Sequence, residues 1–250
     1  MKLTILTVVK NDQKNIESTI QSVLAQDYEE FEYLIIDGNS NDDTQKIIRK
    51  FKNKKLKFFS IKDNSIYEAL NFGVKKSIGG YIGMLHSGDL FYDNNVLKKI
   101  SKKINLTEIL VTNCFYFKNK NNKAISRSWV KPFNKMNKYY SYKISHTATF
   151  IKKSIFNDIG FYSEKYKISS DTEFLLRAIT NKIKINYFNI NTVMMKIGGK
   201  STAIKYLKKK ISEDLKIYIK YFGFLFFIMY LVKIFSKILD INFINKKQLL

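Results

Sequence analysis

Four apolar stretches of the chain each run out into polar residues. Lys10, Asn11 and Asp12 follow the first, Asp37 to Asp43 the second, Asp63 and Asn64 the third, and His86 to Asp89 the fourth. In YIGMLHSGDLFYD, from Tyr81 to Asp93, a histidine, a serine, a glycine and an aspartate succeed one another where an apolar strand should stop. A glycine before Asp89 lets the backbone turn with positive φ or approach a bulky anion closely. A carboxylate at such a turn can hold Mg2+ or Mn2+, which take oxygen ligands and are commonly completed by substrate phosphates and water. At any one position a turn-capping aspartate is the simpler alternative. Recurrence at several strand ends shifts the balance, because Asp37, Asp63 and Asp89 gathered on one edge would repel one another without a cation among them.

For that edge to exist, the apolar runs must be neighbouring strands. LTILTVV (Leu3 to Val9), YLIID (Tyr33 to Asp37), LKFFSI (Leu56 to Ile61), YIGMLH (Tyr81 to His86) and ILVTNCFYF (Ile109 to Phe117) are rich in β-branched and aromatic residues. Between them Ile16, Ile20, Val23 and Leu24 share one helical face, Thr44 opens QKIIRKF, and Ile66, Leu70 and Val74 line another face. Strands alternating with helices predict an α/β fold whose mainly parallel sheet is covered on both sides and binds ligands at the carboxyl ends of its strands. After Lys118 the pattern loosens into a polar, aromatic-studded stretch, read as a loop over the site with Trp129 as a stacking candidate. Order resumes at HTATFIKKSIFNDIGFYSE, and DTEFLLRAI reads as a helix with Phe174, Leu175 and Ala178 inward.

The formal charge of +23 alone would point to nucleic acid or an anionic membrane. Its distribution is uneven: residues 1–99 hold 15 basic and 13 acidic residues, whereas residues 100–250 hold 29 and 8. The basic residues thus avoid the expected ligand edge, which disfavours a nucleic-acid-binding protein. The single cysteine, Cys114, allows no internal disulfide and suits a reducing cytosol. GGKST, Gly198 to Thr202, imitates the end of a phosphate-binding loop, but Met194 stands where that motif needs its first glycine. Tyr221 to Val232 is apolar throughout and bracketed by Lys220 and Lys233. A span needs about 20 apolar residues, so this run is read as a helix lying in a membrane interface, the alternative being a helix packed on the sheet or on a partner subunit.

Taken in order, the segments resemble the family 2 glycosyltransferases with the GT-A fold. TILTVVKND is similar to that family's opening strand, IIDGNSNDDT to its aspartate-rich second turn, and KDNSIYEALNFGVKKSIGGYIGMLHSGD to the stretch that runs into its metal motif. SHTATFIKKSIFNDIGFYSEKYKISSDTEFLLR is similar to its acceptor-side segment, which ends in the catalytic aspartate. The resemblance implies a Rossmann-like, mixed, mainly parallel sheet flanked by helices, and transfer of a sugar from a nucleotide donor, most commonly a UDP-sugar, with inversion. It implies that Thr7 and Val9 border the base, that Asp37 binds the nucleoside, and that Asp63 and Asn71 complete that pocket. It further implies Asp89 as ligand of Mg2+ or Mn2+, Asp171 as the base that activates an acceptor hydroxyl, and His146 near donor phosphate or acceptor.

One departure stands out: Ser87 occupies the position of the motif's first aspartate, leaving Asp89 alone, with Ser87 as a substrate-side contact. A relative that binds nucleotide sugars without transferring them is therefore carried as the alternative function. The expected organisation is a GT-A domain over residues 1–202, split into a nucleotide-sugar part (1–117) and an acceptor part (118–202). A C-terminal apolar and basic helical segment (203–250) would hold the chain peripherally at the inner face of the cell membrane, next to a glycan or lipid-linked acceptor.

Overall fold

The computed structural model describes residues 2–63, 65–117, 141, 144–196 and 206–235. The expected loop beyond Lys118, Trp129 and the Gly198–Thr202 segment lie outside the described residues. The first half alternates as the periodicity predicts: β1 (Leu3–Val9), α1 (Ile16–Leu24), β2 (Phe31–Asp37), α2 (Thr44–Lys50), β3 (Leu56–Ser60), α3 (Ile66–Lys76) and β4 (Tyr81–Met84). There follow β5 (Leu90–Phe91), α4 (Val96–Ser101), β6 (Ile109–Phe117), β7 (Thr149–Lys152), α5 (Lys153–Asp158), α6 (Ser170–Thr180), β8 (Ile185–Lys196) and α7 (Leu207–Phe222).

One eight-stranded sheet runs in the order β3-β2-β1-β4-β7-β6-β8-β5. The β3-β2-β1-β4 side is parallel throughout, β7 enters antiparallel between β4 and β6, and β8 runs parallel to β6. Because successive side chains of a strand point to opposite faces, β1 sends Leu3, Ile5 and Val9 into one core and Leu6 and Val8 into the other. Helices α1, α2 and α4 close the first core, and α3, α5 and α6 the second. The first turn of α3 is fixed by Ser65, whose hydroxyl accepts the Glu68 N–H at 3.2 Å. Its neighbour Tyr67 is thereby set facing α6.

The C-terminal helical stretch Leu207–Phe235 has 29 residues and is long and apolar enough, by count, to cross a bilayer. It does not run straight. A straight α-helix would hold residues 214 and 233 about 28 Å apart at 1.5 Å per residue. Instead Lys233 Nζ lies 2.7 Å from the Asp214 carboxylate, and the Tyr218 and Tyr230 rings sit 5.8 Å apart. The reversal falls at Gly223, whose φ of 55° lies in the region glycine tolerates. The chain therefore forms a hairpin of α7 and a return limb, residues 226–235, around Ile217, Tyr218, Phe222, Met229 and Tyr230, with Leu176 of α6 in the same cluster.

Candidate active site

The carboxyl ends of β1, β2 and β3 build one corner of the site. Val9 and Asp37 are register partners at the ends of β1 and β2. Asp37 is fully buried, and its carboxylate accepts the Ser40 N–H at 3.0 Å, the Ser60 hydroxyl at 3.0 Å and the Ser40 hydroxyl. It shapes the turn after β2 from within. Asp63 comes against the other side of that turn, where a Cβ on Gly38 would lie 2.7 Å from its Oδ2, so only glycine admits the carboxylate there. Lys10 Nζ, at 3.4 Å, partners Asp63. Thr7 lies beneath, its hydroxyl donating to the Leu85 carbonyl at 2.6 Å and paired with the Tyr33 hydroxyl at 3.0 Å, which ties β1 to the end of β4. Asn71 is placed elsewhere: its amide exchanges bonds with the backbone of Tyr162 at 2.9 and 3.0 Å and donates to Glu164.

The turn after β4 forms the second corner. Gly88 has a φ of 94°. Its N–H donates to the Thr19 hydroxyl at 2.9 Å, and that hydroxyl donates to the Asp89 carbonyl at 3.0 Å, so α1 braces the turn. Ser87 donates to Asp12 Oδ2 at 2.7 Å, bringing a second carboxylate beside the position where the family motif has its own. Asp12 also accepts from the Asn15 amide, and Asn15 in turn accepts from Lys196 Nζ. Asp89 is buried, with Oδ1 accepting the Lys196 N–H at 3.0 Å. Burial, reinforced by the charge of Asp12, pushes its carboxyl up to about 7 against the pull of that N–H and of His146. A carboxyl so poorly solvated is one that a divalent cation would hold ionised, and in this the turn fits Mg2+ or Mn2+. The described residues contain no group of three or more His, Cys, Asp or Glu that could hold an ion unaided, so Asp89 would need oxygens from a bound substrate.

The third corner is α6, and a hydrogen-bonded chain joins it to the second. His146 Nδ1 lies 3.0 Å from Asp171 Oδ2, and His146 Nε2 lies 2.7 Å from His86 Nε2. A carboxylate accepts, so His146 carries its proton on Nδ1. When His146 is neutral, His86 must donate through Nε2, which leaves His86 Nδ1 bare, and that atom is buried without a partner among the described residues. Burial, reinforced by His146, pushes His86 down to about 3 despite the pull of Asp171. Asp171 takes a second bond from the Tyr67 hydroxyl, at 3.1 Å to Oδ1. Burial alone would raise its carboxyl, but the His146 hydrogen bond and charge, with Lys210 and the Thr172 N–H, hold it well below the usual carboxylate range. Its side chain is about a quarter exposed (23%), enough for a substrate to reach.

The loop leading into α6 is held from below. Glu213 of α7 accepts the backbone N–H groups of Lys167, Ile168 and Ser169 at 2.9, 2.8 and 3.0 Å, and the Ile168 carbonyl accepts from Tyr67 at 2.7 Å. Arg177 pairs with Glu173 at 3.2 Å in the interior, not on the helix surface as the i,i+4 spacing alone implies. Of the residues singled out in the sequence, Asp171 and His146 meet directly and Ser87 and Asp89 share the turn that His86 opens. Tyr67, Lys196 and Glu213 carried no signal of their own in the sequence, and His86, though it stood in the polar end of the fourth run, had nothing local to link it to His146. Only the fold puts them at the site.

A sheet of this order, parallel over β3-β2-β1-β4 and with β7 antiparallel between β4 and β6, defines a fold of the GT-A type. Residues 4–163 match the family described as Glycosyl transferase family 2, and the chain belongs to that family. Over 173 residues it is 25% identical to a PGL/p-HBAD biosynthesis glycosyltransferase of Mycobacterium tuberculosis, covering 66% of this chain and 65% of that one. An uncharacterized glycosyltransferase of Rickettsia conorii is 38% identical over 96 residues, which cover 38% of this chain and 16% of that protein, so the match spans about a sixth of this relative. Among solved structures, S. aureus TarS 1-349 in complex with UDP-GlcNAc superposes with a TM-score of 0.71 at 20% identity, covering 88% of this chain and 66% of that one. A mannosyltransferase of Pyrobaculum calidifontis in complex with GDP-Man and Mn2+ gives 0.66 at 11%, covering 87% and 63%. At these identities the structural likeness concerns the fold.

Proposed function

We propose that the chain is an inverting glycosyltransferase that moves a sugar from a nucleotide donor, a UDP-sugar, to a hydroxyl of a glycan or lipid-linked acceptor. The observation that carries this reading is the chain Asp171–His146–His86, which sets a carboxylate on α6 across from the turn that bears Asp89. Asp63, Lys10 and Val9 would take the nucleoside end, with Thr7 and Asp37 shaping the wall behind them. Asp89, assisted by Asp12, would hold Mg2+ or Mn2+, and the ion would neutralise charge gathering on the diphosphate as it leaves. Lys196 adds positive charge at the same turn.

Asp171 receives the proton of the acceptor hydroxyl while that oxygen bonds to the anomeric carbon. The bond from the anomeric carbon to the diphosphate oxygen breaks on the opposite face, giving inversion. The hydrogen bond and charge of His146, with Lys210 and the Thr172 N–H, keep Asp171 ionised at neutral pH, and the bonds from His146 and Tyr67 fix the direction of its remaining lone pairs. The chain would work at the inner face of the cell membrane, a reading supported by its basic and apolar C-terminal segment.

The test is turnover with a panel of nucleotide sugars, Mg2+ or Mn2+ and candidate acceptors. Asp171→Asn should cut transfer by at least about 100-fold, the usual scale of a lost general base, with donor binding retained. Full activity in that variant would remove Asp171 from the mechanism. Donor binding without transfer in the parent chain would favour the non-catalytic alternative that Ser87 raises.

A further inference from the structure

The return limb of the C-terminal hairpin is inverted relative to a helix on a water-facing surface. Its lysine, Lys233, points inward and is buried against Asp214. Its outward face carries Phe227, Ile228, Val232 and Phe235, all exposed, and Phe224 at the hairpin tip is 90% exposed. A helix in water places its charge outside and its apolar residues within. An apolar face of this kind is suited to an outer medium that is itself apolar. On the other limb of the hairpin, α7 exposes Lys208, Lys209 and Lys216, and Lys209 and Lys216 share a groove of about 430 Å3 with Lys165 of the loop before α6.

We propose that the hairpin is a docking element for an anionic phospholipid surface, entering one leaflet by its tip and return limb while the α7 lysines meet the headgroups. The occupant follows from charge complementarity: an apolar face on one limb with three exposed lysines on the other fits acyl chains beneath anionic headgroups. The turn at Gly223 makes it a shallow, one-sided insertion, not a span. Because Glu213, on the same α7, holds the loop leading to Asp171, docking brings the acceptor side of the cleft towards the lipid. The acceptor class this geometry serves is a hydroxyl on a lipid-borne glycan. This last step deepens the proposed function and rests on it; the docking itself does not.

The test is co-sedimentation of the full chain with vesicles of phosphatidylcholine alone and of phosphatidylcholine with 30% phosphatidylglycerol, about physiological salt being kept in both. Binding to the anionic vesicles should exceed binding to the neutral ones by at least about tenfold, and bound protein should be released by alkaline carbonate, as a span would not be. The triple variant Phe224→Ser, Ile228→Ser, Phe235→Ser changes only exposed residues and should lose at least about tenfold in vesicle binding, with turnover of a water-soluble acceptor unchanged. Loss of turnover in the parent with vesicle binding intact would count against the catalytic reading alone. Equal binding of parent and triple variant, resistance to carbonate, or a parent dimer that the triple variant converts to monomer without vesicle binding would each overturn the docking proposal.

Discussion

At the scale of single residues, the site turns on two histidines that differ in what surrounds them. His146 faces a carboxylate and His86 faces His146, with its second nitrogen buried and without a hydrogen-bond partner among the described residues. In the unfolded chain His86 takes up a proton as the pH falls below about 6.5, whereas in the folded protein it does so only near 3. The unfolded state therefore binds more protons between those values, and stability must fall as the pH falls through that window. Asp171 acts in the same direction at lower pH, since a carboxyl whose affinity for protons is depressed by folding loses its contribution as the pH drops below the ordinary carboxylate range. Thermal melts in metal-free buffer should show Tm declining from pH 6.5 to 5, and His86→Gln, which cannot take up the proton, should flatten that decline. An unchanged slope would mean that His86 is open to water. For His146 the two roles of bonding and charge separate cleanly. Asn can reproduce the Nδ1 donor without titrating, so His146→Asn should retain most of the kcat that His146→Ala loses, about 10-fold or more, if direction of the Asp171 lone pairs is what matters.

At the scale of elements, each functional residue is as well placed as the element that carries it. Strands β1 and β6 have the limits that their apolar runs predict, because β-branched and aromatic residues end abruptly in Lys10 and Lys118. Strand β4 stops two residues earlier than its run, and the residues so released, Leu85 and His86, begin the turn that the site uses. Strand β8 was not legible, and the reason is chemical. It carries Asn186, Asn189 and Asn191, which break any alternation, and two of these accept hydrogen bonds across the sheet from the Asn113 amide at 2.9 Å each. The meeting of His146 with Asp171 was equally hidden, since nothing local relates a residue before β7 to one in α6. The hairpin had one local sign, Gly223, inside a run whose composition pointed to a continuous helix. Glu213 shows what such an element contributes. Its carboxylate gathers three N–H groups of the loop before α6 in a buried place, where losing a charged acceptor costs on the order of 1–3 kcal/mol. Glu213→Gln should lower Tm and reduce kcat, leaving KM for the donor within about twofold, because the proposed nucleotide corner lies on β1 to β3 whereas Glu213 bonds the loop before α6. A rise in donor KM at unchanged kcat would show that α7 supports the other half of the site.

At the scale of the whole molecule, the sheet joins two functions whose coupling can be measured through stability. In the proposed function the β3-β2-β1-β4 side would supply the nucleotide corner and α6 the base, and the turn of residues 86–89 is joined to α6 through His86 and His146. A ligand that binds only the folded chain stabilises it by RT ln(1 + [L]/Kd), about 2.7 kcal/mol at 100 times Kd. For a chain of this size that corresponds to a rise in Tm of about 5–10 °C. Among the described residues Asp89 belongs to no group of three or more His, Cys, Asp or Glu that could hold an ion by itself, so Mn2+ alone should move Tm little, and UDP alone should do so modestly through the Asp63 corner. Together they should exceed the sum of the two, because each supplies ligands that the other lacks. Asp89→Asn should abolish that excess and leave the response to UDP alone intact, and Asp12→Asn should reduce it in part, since Asp12 reaches the turn through Ser87. Additive shifts in the parent chain would mean that nucleotide and cation do not meet at this turn. The same additivity, seen with transfer still dependent on Mn2+, would place the ion on residues other than Asp89.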